Sequence, residues 1–182
     1  VYIDDFEGTR SNIDLRFPIT GWTLASVPQG NNGPGGVSPL FPESALNNTL
    51  ASGYNRAKLA WYIIEPVLQE KGSSNNPLRN NLAELSKPET RQVLQREIFP
   101  KRSTQLGEGL LSTFDIAFYP QDRGPYNFNT APTVNSAGVD VNGRLLNPKS
   151  RWGGLMRNID QTDFETANIE FIEFWLQDPF IL

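Results

Sequence analysis

Carboxylates are the side chains here whose type and spacing could do chemistry. One group is Asp4, Asp5 and Glu7; the other is Asp160, Asp163, Glu165, Glu170 and Glu173. Side chains alternate across a strand, so Asp4 and Asp5 face opposite ways while Asp5 and Glu7 share a face. With loop carbonyls, Asp5 and Glu7 form an all-oxygen ligand set that suits calcium, the one cofactor the sequence suggests. The other reading is a sheet edge kept from aggregating by charge. Glycoside hydrolysis needs two carboxyls facing each other across a cleft. The second group is crowded onto a turn and one strand, which does not supply that geometry. Glu173 sits in the middle of that strand and needs a partner if buried; Arg151, Arg157 or Lys58 would serve. The aromatics Trp22, Trp61, Trp152 and Trp175, with Tyr54, Tyr62, Tyr119 and Tyr126, suit a core, a platform for sugar rings, or an interface. Trp152, Trp175 and Phe180 are the expected interface residues.

Much catalytic chemistry is absent from the composition. The chain has no Cys and no His, which removes thiol nucleophiles, Ser–His and Cys–His pairs and ordinary zinc sites. Gly8, Gly107, Gly109, Gly153 and Gly154 lack the Lys and the spacing of a phosphate-binding loop. A net charge of −4 argues against a nucleic-acid partner, which calls for clustered Lys and Arg. No apolar run approaches the roughly 18 residues of a membrane helix. The expectation is a protein that is not an enzyme.

The elements that would position these residues are mostly strands. With 182 residues, 38% of them hydrophobic, the chain can build one domain with a core of modest size. Its 15 Gly and 14 Pro favour strands joined by long loops over a helical bundle. Short strands are expected at 1–6, 12–16 and 21–25, with Trp22 as a core anchor. Stronger ones are expected at 55–65, ended by Pro66, and at 113–119, closed by Pro120. The densest apolar stretch is 168–177, with Ile169, Phe171, Glu173 and Trp175 on one face and Glu170, Ile172, Phe174 and Leu176 on the other. A strand apolar on both faces is expected to be central and covered on both sides. Ser86, Pro88 and Glu89 spell a capping box for a helix running through 91–98 until Pro100; a second helix over 44–60 competes with the strand there. Asn142-Gly143 within 139–145 is a hairpin signal. Loop insertions fall near 28–42 and 72–81. The expected fold is mainly β, an antiparallel β-sandwich of jelly-roll or galactose-binding-like type, with one or two short helices. The strand-like opening at Val1 and the apolar Phe180-Ile181-Leu182 lead us to expect a piece of a larger polypeptide.

Four segments carry a family resemblance: IDDFEG at 3–8, GYNRAKLAWY at 53–62, RGPYNFN at 123–129, and RWGGLMR…TDFETANIEFIEFWLQDPF at 151–180. Together they resemble the SprA (also called Sov) family, very large outer-membrane proteins of gliding, type 9-secreting bacteria. The resemblance spans most of this chain but only a fragment of such a protein. It implies part of a translocon whose giant β-barrel passes folded cargo across the outer membrane, in the cell envelope. It further implies the rest of the parent chain and other secretion-system proteins as partners, and it carries over no catalytic residue. These strands lack the alternation of lipid-facing barrel segments, so the expected role is a structural domain outside the barrel wall, a piece of barrel with attached loops being the other reading. The alternative is a carbohydrate-binding-type jelly-roll module, argued from IDDFEG, Trp22 and the strand-rich pattern.

Overall fold

The computed structural model of the chain describes residues 14–30, 36–46, 48–101, 109–166, 169 and 171–177. Asp5, Glu7 and Phe180, and the strand expected at 1–6, lie outside the described residues. The described strands are β1 (Trp22–Leu24), β2 (Ala57–Tyr62), β3 (Val93–Leu94), β4 (Leu110–Leu111), β5 (Asp115–Arg123) and β6 (Leu155–Arg157). Three single-turn helices, α1 (Pro66–Gln69), α2 (Leu82–Leu85) and α3 (Gln95–Ile98), stand between them. The strands pair as three two-stranded antiparallel sheets, β1 with β6, β2 with β5, and β3 with β4. The chain is thus small and strand-rich with few helices. Two larger sheets packed face to face are not found among the described residues.

The β2–β5 ribbon is the largest piece, and its alternation matches the sequence pattern. Leu59 opposes Phe118 and Trp61 opposes Ile116 on one face; Lys58 opposes Tyr119, Ala60 opposes Ala117 and Tyr62 opposes Asp115 on the other. Pro120 does not close β5 as expected. The strand runs on to Arg123, because the register shifts between Ala57 and Lys58 and leaves residues 120–122 without partners on β2. A bulge needs no amide from proline. The carbonyl of Gln121 there accepts a hydrogen bond from the Leu145 amide at 2.8 Å, which ties the bulge to the turn at 140–144. In that turn the Asp140 carboxylate accepts from the amides of Asn142 and Arg144, both at 2.8 Å, and Gly143 takes φ +77°, a conformation that glycine adopts freely.

Several other expectations are overturned. Residues 14–16 form no strand. In place of a helix over 44–60 there are two 3-10 turns, Pro42–Leu46 and Leu50–Gly53. The helix predicted from Ser86 does not start there: residues 88–90 are turns, 93–94 is β3, and only Gln95–Ile98 is helical. The effective caps lie elsewhere. Asn81 Oδ1 accepts from the Glu84 amide at 3.1 Å to open α2, and the Glu97 carboxylate accepts from the Leu94 amide at 3.0 Å to open α3.

The largest correction concerns 168–177. Residues 171–177 belong to no strand, and Phe171, Ile172, Phe174, Trp175 and Leu176 are exposed. A two-sided apolar pattern measures how readily a segment can be buried; a strand also needs a partner for its amides and carbonyls, and no described strand supplies one. Glu173 is exposed as well and needs no counter-ion.

Candidate functional site

Five buried polar residues, Asn55, Asn127, Asn129, Ser136 and Arg151, gather in one place, while Asn76 is buried apart, holding the carbonyls of Leu68 and Glu70. The Arg151 amide donates to the Pro148 carbonyl at the end of a 3-10 turn, and its side chain runs into the interior at 6% exposure. The guanidinium is satisfied by neutral acceptors. Nε donates to the Leu146 carbonyl at 2.8 Å. Nη1 donates to the Tyr54 carbonyl at 3.0 Å, to Asn55 Oδ1 at 3.1 Å and to Ser136 Oγ at 2.9 Å. Nη2 donates to the Gly138 carbonyl at 2.9 Å. Desolvation lowers its pKa from the usual arginine value, though a guanidinium stays charged in proteins. Five donors in a rigid fan suit arginine, and no other side chain, to gather so many loop carbonyls.

Buried amides extend the clasp. Asn127 Nδ2 donates to the carbonyls of Tyr54 at 2.9 Å and Arg56 at 2.8 Å, while its Oδ1 accepts from the Asn129 amide at 3.1 Å. Asn129 Oδ1 accepts from Ser136 Oγ at 3.1 Å, and its Nδ2 donates to the Ala131 carbonyl at 2.7 Å. Asn55 Nδ2 donates to the Asn135 carbonyl. These loops have little apolar surface to bury, so side-chain amides hold the backbone that sheets would otherwise pair. Tyr126 takes φ +63° in the same loop, a conformation uncommon for a residue with a side chain.

Next to this lies Trp152. Its amide donates to the Asn55 carbonyl at 3.2 Å and its carbonyl accepts from the Ala57 amide at 2.8 Å, so the start of β2 is anchored on both sides. Trp152 Nε1 donates to Glu43 Oε1 at 2.9 Å. Glu43 is 2% exposed and Trp152 9%. Phe41 meets the indole edge-on at 5.6 Å, and the Arg56 guanidinium lies 5.1 Å from the ring centroid. Burial pushes the Arg56 pKa down; its Nη2 donates to the Ala25 carbonyl at 2.8 Å, while its buried Nε has no hydrogen-bond partner. Gly153 passes so close to the apolar face of the ribbon that a Cβ would lie 3.2 Å from Leu59 Cβ and from the Phe118 ring. A third arginine repeats the pattern: Arg157 donates to the carbonyls of Leu15 and Phe17, both at 2.7 Å.

Of the four segments that carry the family resemblance, 53–62, 123–129 and the beginning of 151–180 (residues 151–157) therefore converge here, whereas 171–177 of that last segment stay exposed. The segment at 3–8 lies outside the described residues. Trp152, read as an interface residue, packs within the chain itself. Trp175, by contrast, is exposed, with its ring edge-on to Phe99 at 6.3 Å. Arg151 and Arg157, considered as partners for Glu173, hold carbonyls instead, and Lys58 lies 3.9 Å from Asp122. Asp163 is turned inward on its own loop: the Thr166 amide and hydroxyl donate to it and hold its carboxyl below the usual range. Asn55, Asn127, Asn129, Ser136 and Glu43 were not singled out from sequence. Their one signal is polar residues set among Gly and Pro, close to the arginines.

Chemically the clasp is a binder of backbone. Its hydroxyl and amide groups are engaged with one another, and no nucleophile stands beside a base. Among the described residues no group of three or more acidic side chains could hold a metal ion, and no helix is long and apolar enough to cross a membrane. One open cleft of about 250 Å³ is lined by residues including Tyr119, Asp122 and Pro148. Comparison with models of protein families found no match, and no curated protein matched the chain.

Proposed function

We propose that the chain is a non-enzymatic structural domain of a SprA-like outer-membrane translocon, serving type 9 protein secretion and gliding motility. It packs against the remainder of its parent chain and other secretion-system proteins in the cell envelope. The reading rests on the resemblance of the four segments, and one observation supports it beyond sequence. The segments at 53–62 and 123–129 and the first residues, 151–157, of the segment at 151–180 meet in a single clasp whose polar groups hold loop backbone. Residues that resemble a family for architectural reasons are expected to meet in this way. In this reading the two-stranded antiparallel sheets are parts of a β-sandwich completed by strands of the parent. The test is removal of residues 14–177 from the parent in a gliding, type 9-secreting bacterium. Cargo export and gliding should stop; normal export without the domain would falsify the proposal.

A second reading, a carbohydrate-binding module of jelly-roll type, draws on one feature. Tyr62 and Tyr119 lie on the same face of the β2–β5 ribbon, both partly exposed, with Ala60 and Ala117 between them. Two rings flanking a small-residue floor could stack on successive sugars. Glycan-array binding that is lost in Tyr119→Ala would favour this module; no binding on the array removes it.

A further inference from the structure

Asn142-Gly143 sits at the tip of the turn at 140–144, with both residues exposed. An asparagine followed by glycine carries chemistry of its own. The glycine amide nitrogen, after losing its proton to solvent, attacks the side-chain carbonyl carbon. A C–N bond forms there, the bond to the side-chain nitrogen breaks, and that nitrogen leaves as ammonia with a proton from water. Water then opens the succinimide at one of its two carbonyls and gives aspartate or, mainly, its β-linked isomer. Glycine has no side chain to hinder the attack. We propose that Asn142 is a site of spontaneous deamidation gated by the Asp140 turn, and that the β-linked product loosens the Arg151 clasp. The inference stands independently of the translocon reading.

The turn holds the attacking group. The Gly143 amide donates to the Asp140 carbonyl at 3.0 Å, so the proton it must lose is one already shared. Asp140 Oδ1 accepts from the amides on either side, Asn142 and Arg144, both at 2.8 Å. The Asp140 amide donates to the Arg144 carbonyl at 2.8 Å. Gly143 has to leave this cradle before its nitrogen can swing onto Cγ, so the reaction runs through the opened turn. Its consequence reaches the clasp along the chain. The Leu145 amide is tied to the Gln121 carbonyl at 2.8 Å, and the Leu146 amide to the Gly138 carbonyl at 3.0 Å. Arg151 grips two of these residues, with Nε on the Leu146 carbonyl and Nη2 on the Gly138 carbonyl. A β-linkage adds one carbon to the main chain between 142 and 143 and leaves a carboxylate beside that of Asp140. The turn then no longer presents both amides to Asp140 in register, and the strain falls on Leu145, 2% exposed, and on Leu146.

The test follows Asn142 by tryptic peptide mapping, in the folded chain at mildly alkaline pH and in the same chain unfolded in urea. Mapping separates it from Asn32, the other asparagine followed by glycine. Conversion at Asn142 is expected in both, several-fold slower in the folded chain. Asp140→Ala should speed the folded reaction roughly tenfold, the weight of one charge-assisted hydrogen bond to the turn, with little change in urea. Asp140→Asn, which keeps an acceptor oxygen, should fall between. The deamidated fraction, separated by its added negative charge, should melt below the parent. Asn142→Asp, with the same charge and an ordinary main chain, should melt close to it. Absence of conversion in urea overturns the proposal. So do equal rates in the folded and unfolded chains, a folded rate that Asp140→Ala leaves unchanged, or a deamidated fraction that melts like the parent.

Discussion

Replacing Arg151 by Met tests whether the arginine clasp holds the loops together. Met has similar length and no donors. Three of the acceptors keep other partners, among them Ser136 Oγ, which still accepts from the Gly138 amide at 3.3 Å. The Tyr54 carbonyl still accepts from Asn127 Nδ2 and Ser136 Oγ, and the Gly138 carbonyl from the Leu146 amide at 3.0 Å. The groups left short are Asn55 Oδ1, on a residue 6% exposed, and the Leu146 carbonyl, on a residue exposed enough for water to reach it. An orphaned buried acceptor costs about 1–3 kcal/mol, and each lost charge-assisted bond about 1.5–3 kcal/mol. Relief from burying a guanidinium without a carboxylate offsets part of this. The expected net loss is about 3 kcal/mol, which for a domain of this size lowers Tm by roughly 6–12 °C. Arg151→Lys should fall between, because one ammonium cannot span the same fan of acceptors. Urea unfolding followed by tryptophan fluorescence measures the loss. A change below about 0.5 kcal/mol, the size typical of an ordinary surface substitution, would refute the reasoning.

Three further outcomes follow from the geometry. Gly124→Ala places a Cβ 2.4 Å from the Ala57 carbonyl oxygen, so backbone must shift; a loss of about 2–3 kcal/mol is expected in the same unfolding assay. Trp152→Phe keeps an aromatic ring but removes the donor to buried Glu43 and part of a buried indole, expected to cost at least about 1–3 kcal/mol, while Glu43→Gln, which keeps an acceptor oxygen, should cost less. Asp14 is held below its ordinary pKa chiefly by the Arg16 side-chain hydrogen bond. Its folded pKa is depressed, so its contribution is present above the unfolded value and is lost as pH falls through the folded one. The effect on stability is small at this exposed position. The direct check is an NMR titration of the carboxyl, whose pKa Arg16→Ala should raise while the residue-16 amide still donates to it.

The parts of the fold that could be read from sequence are those where one local rule decides. Leu59, Trp61 and Ile63 against Ala60, Tyr62 and Ile64 mark β2, Phe114 to Tyr119 marks most of β5, and Asn142-Gly143 marks a turn. Pro120 misled because a bulge absorbs the donor it lacks. Ser86, Pro88 and Glu89 spell a capping box, but Thr90 and Arg91 fold back on the Lys87 carbonyl and the chain turns before a helix can propagate. At 171–177 the pattern was real but no described strand pairs with it, and alternation carries no information about partners. The clasp was hidden for another reason. Arg151 binds carbonyls contributed by loops up to 97 positions away, and backbone acceptors leave no mark in a sequence.

The most direct test of the proposed function is cargo export by cells of a type 9-secreting bacterium in which the SprA-like protein proposed to contain this chain carries Arg151→Met. Export is expected to fall in step with the loss of stability measured on the isolated chain, and Arg151→Lys should give an intermediate level. Full export by a translocon whose clasp is demonstrably broken would contradict the claim that this chain serves secretion through its architecture.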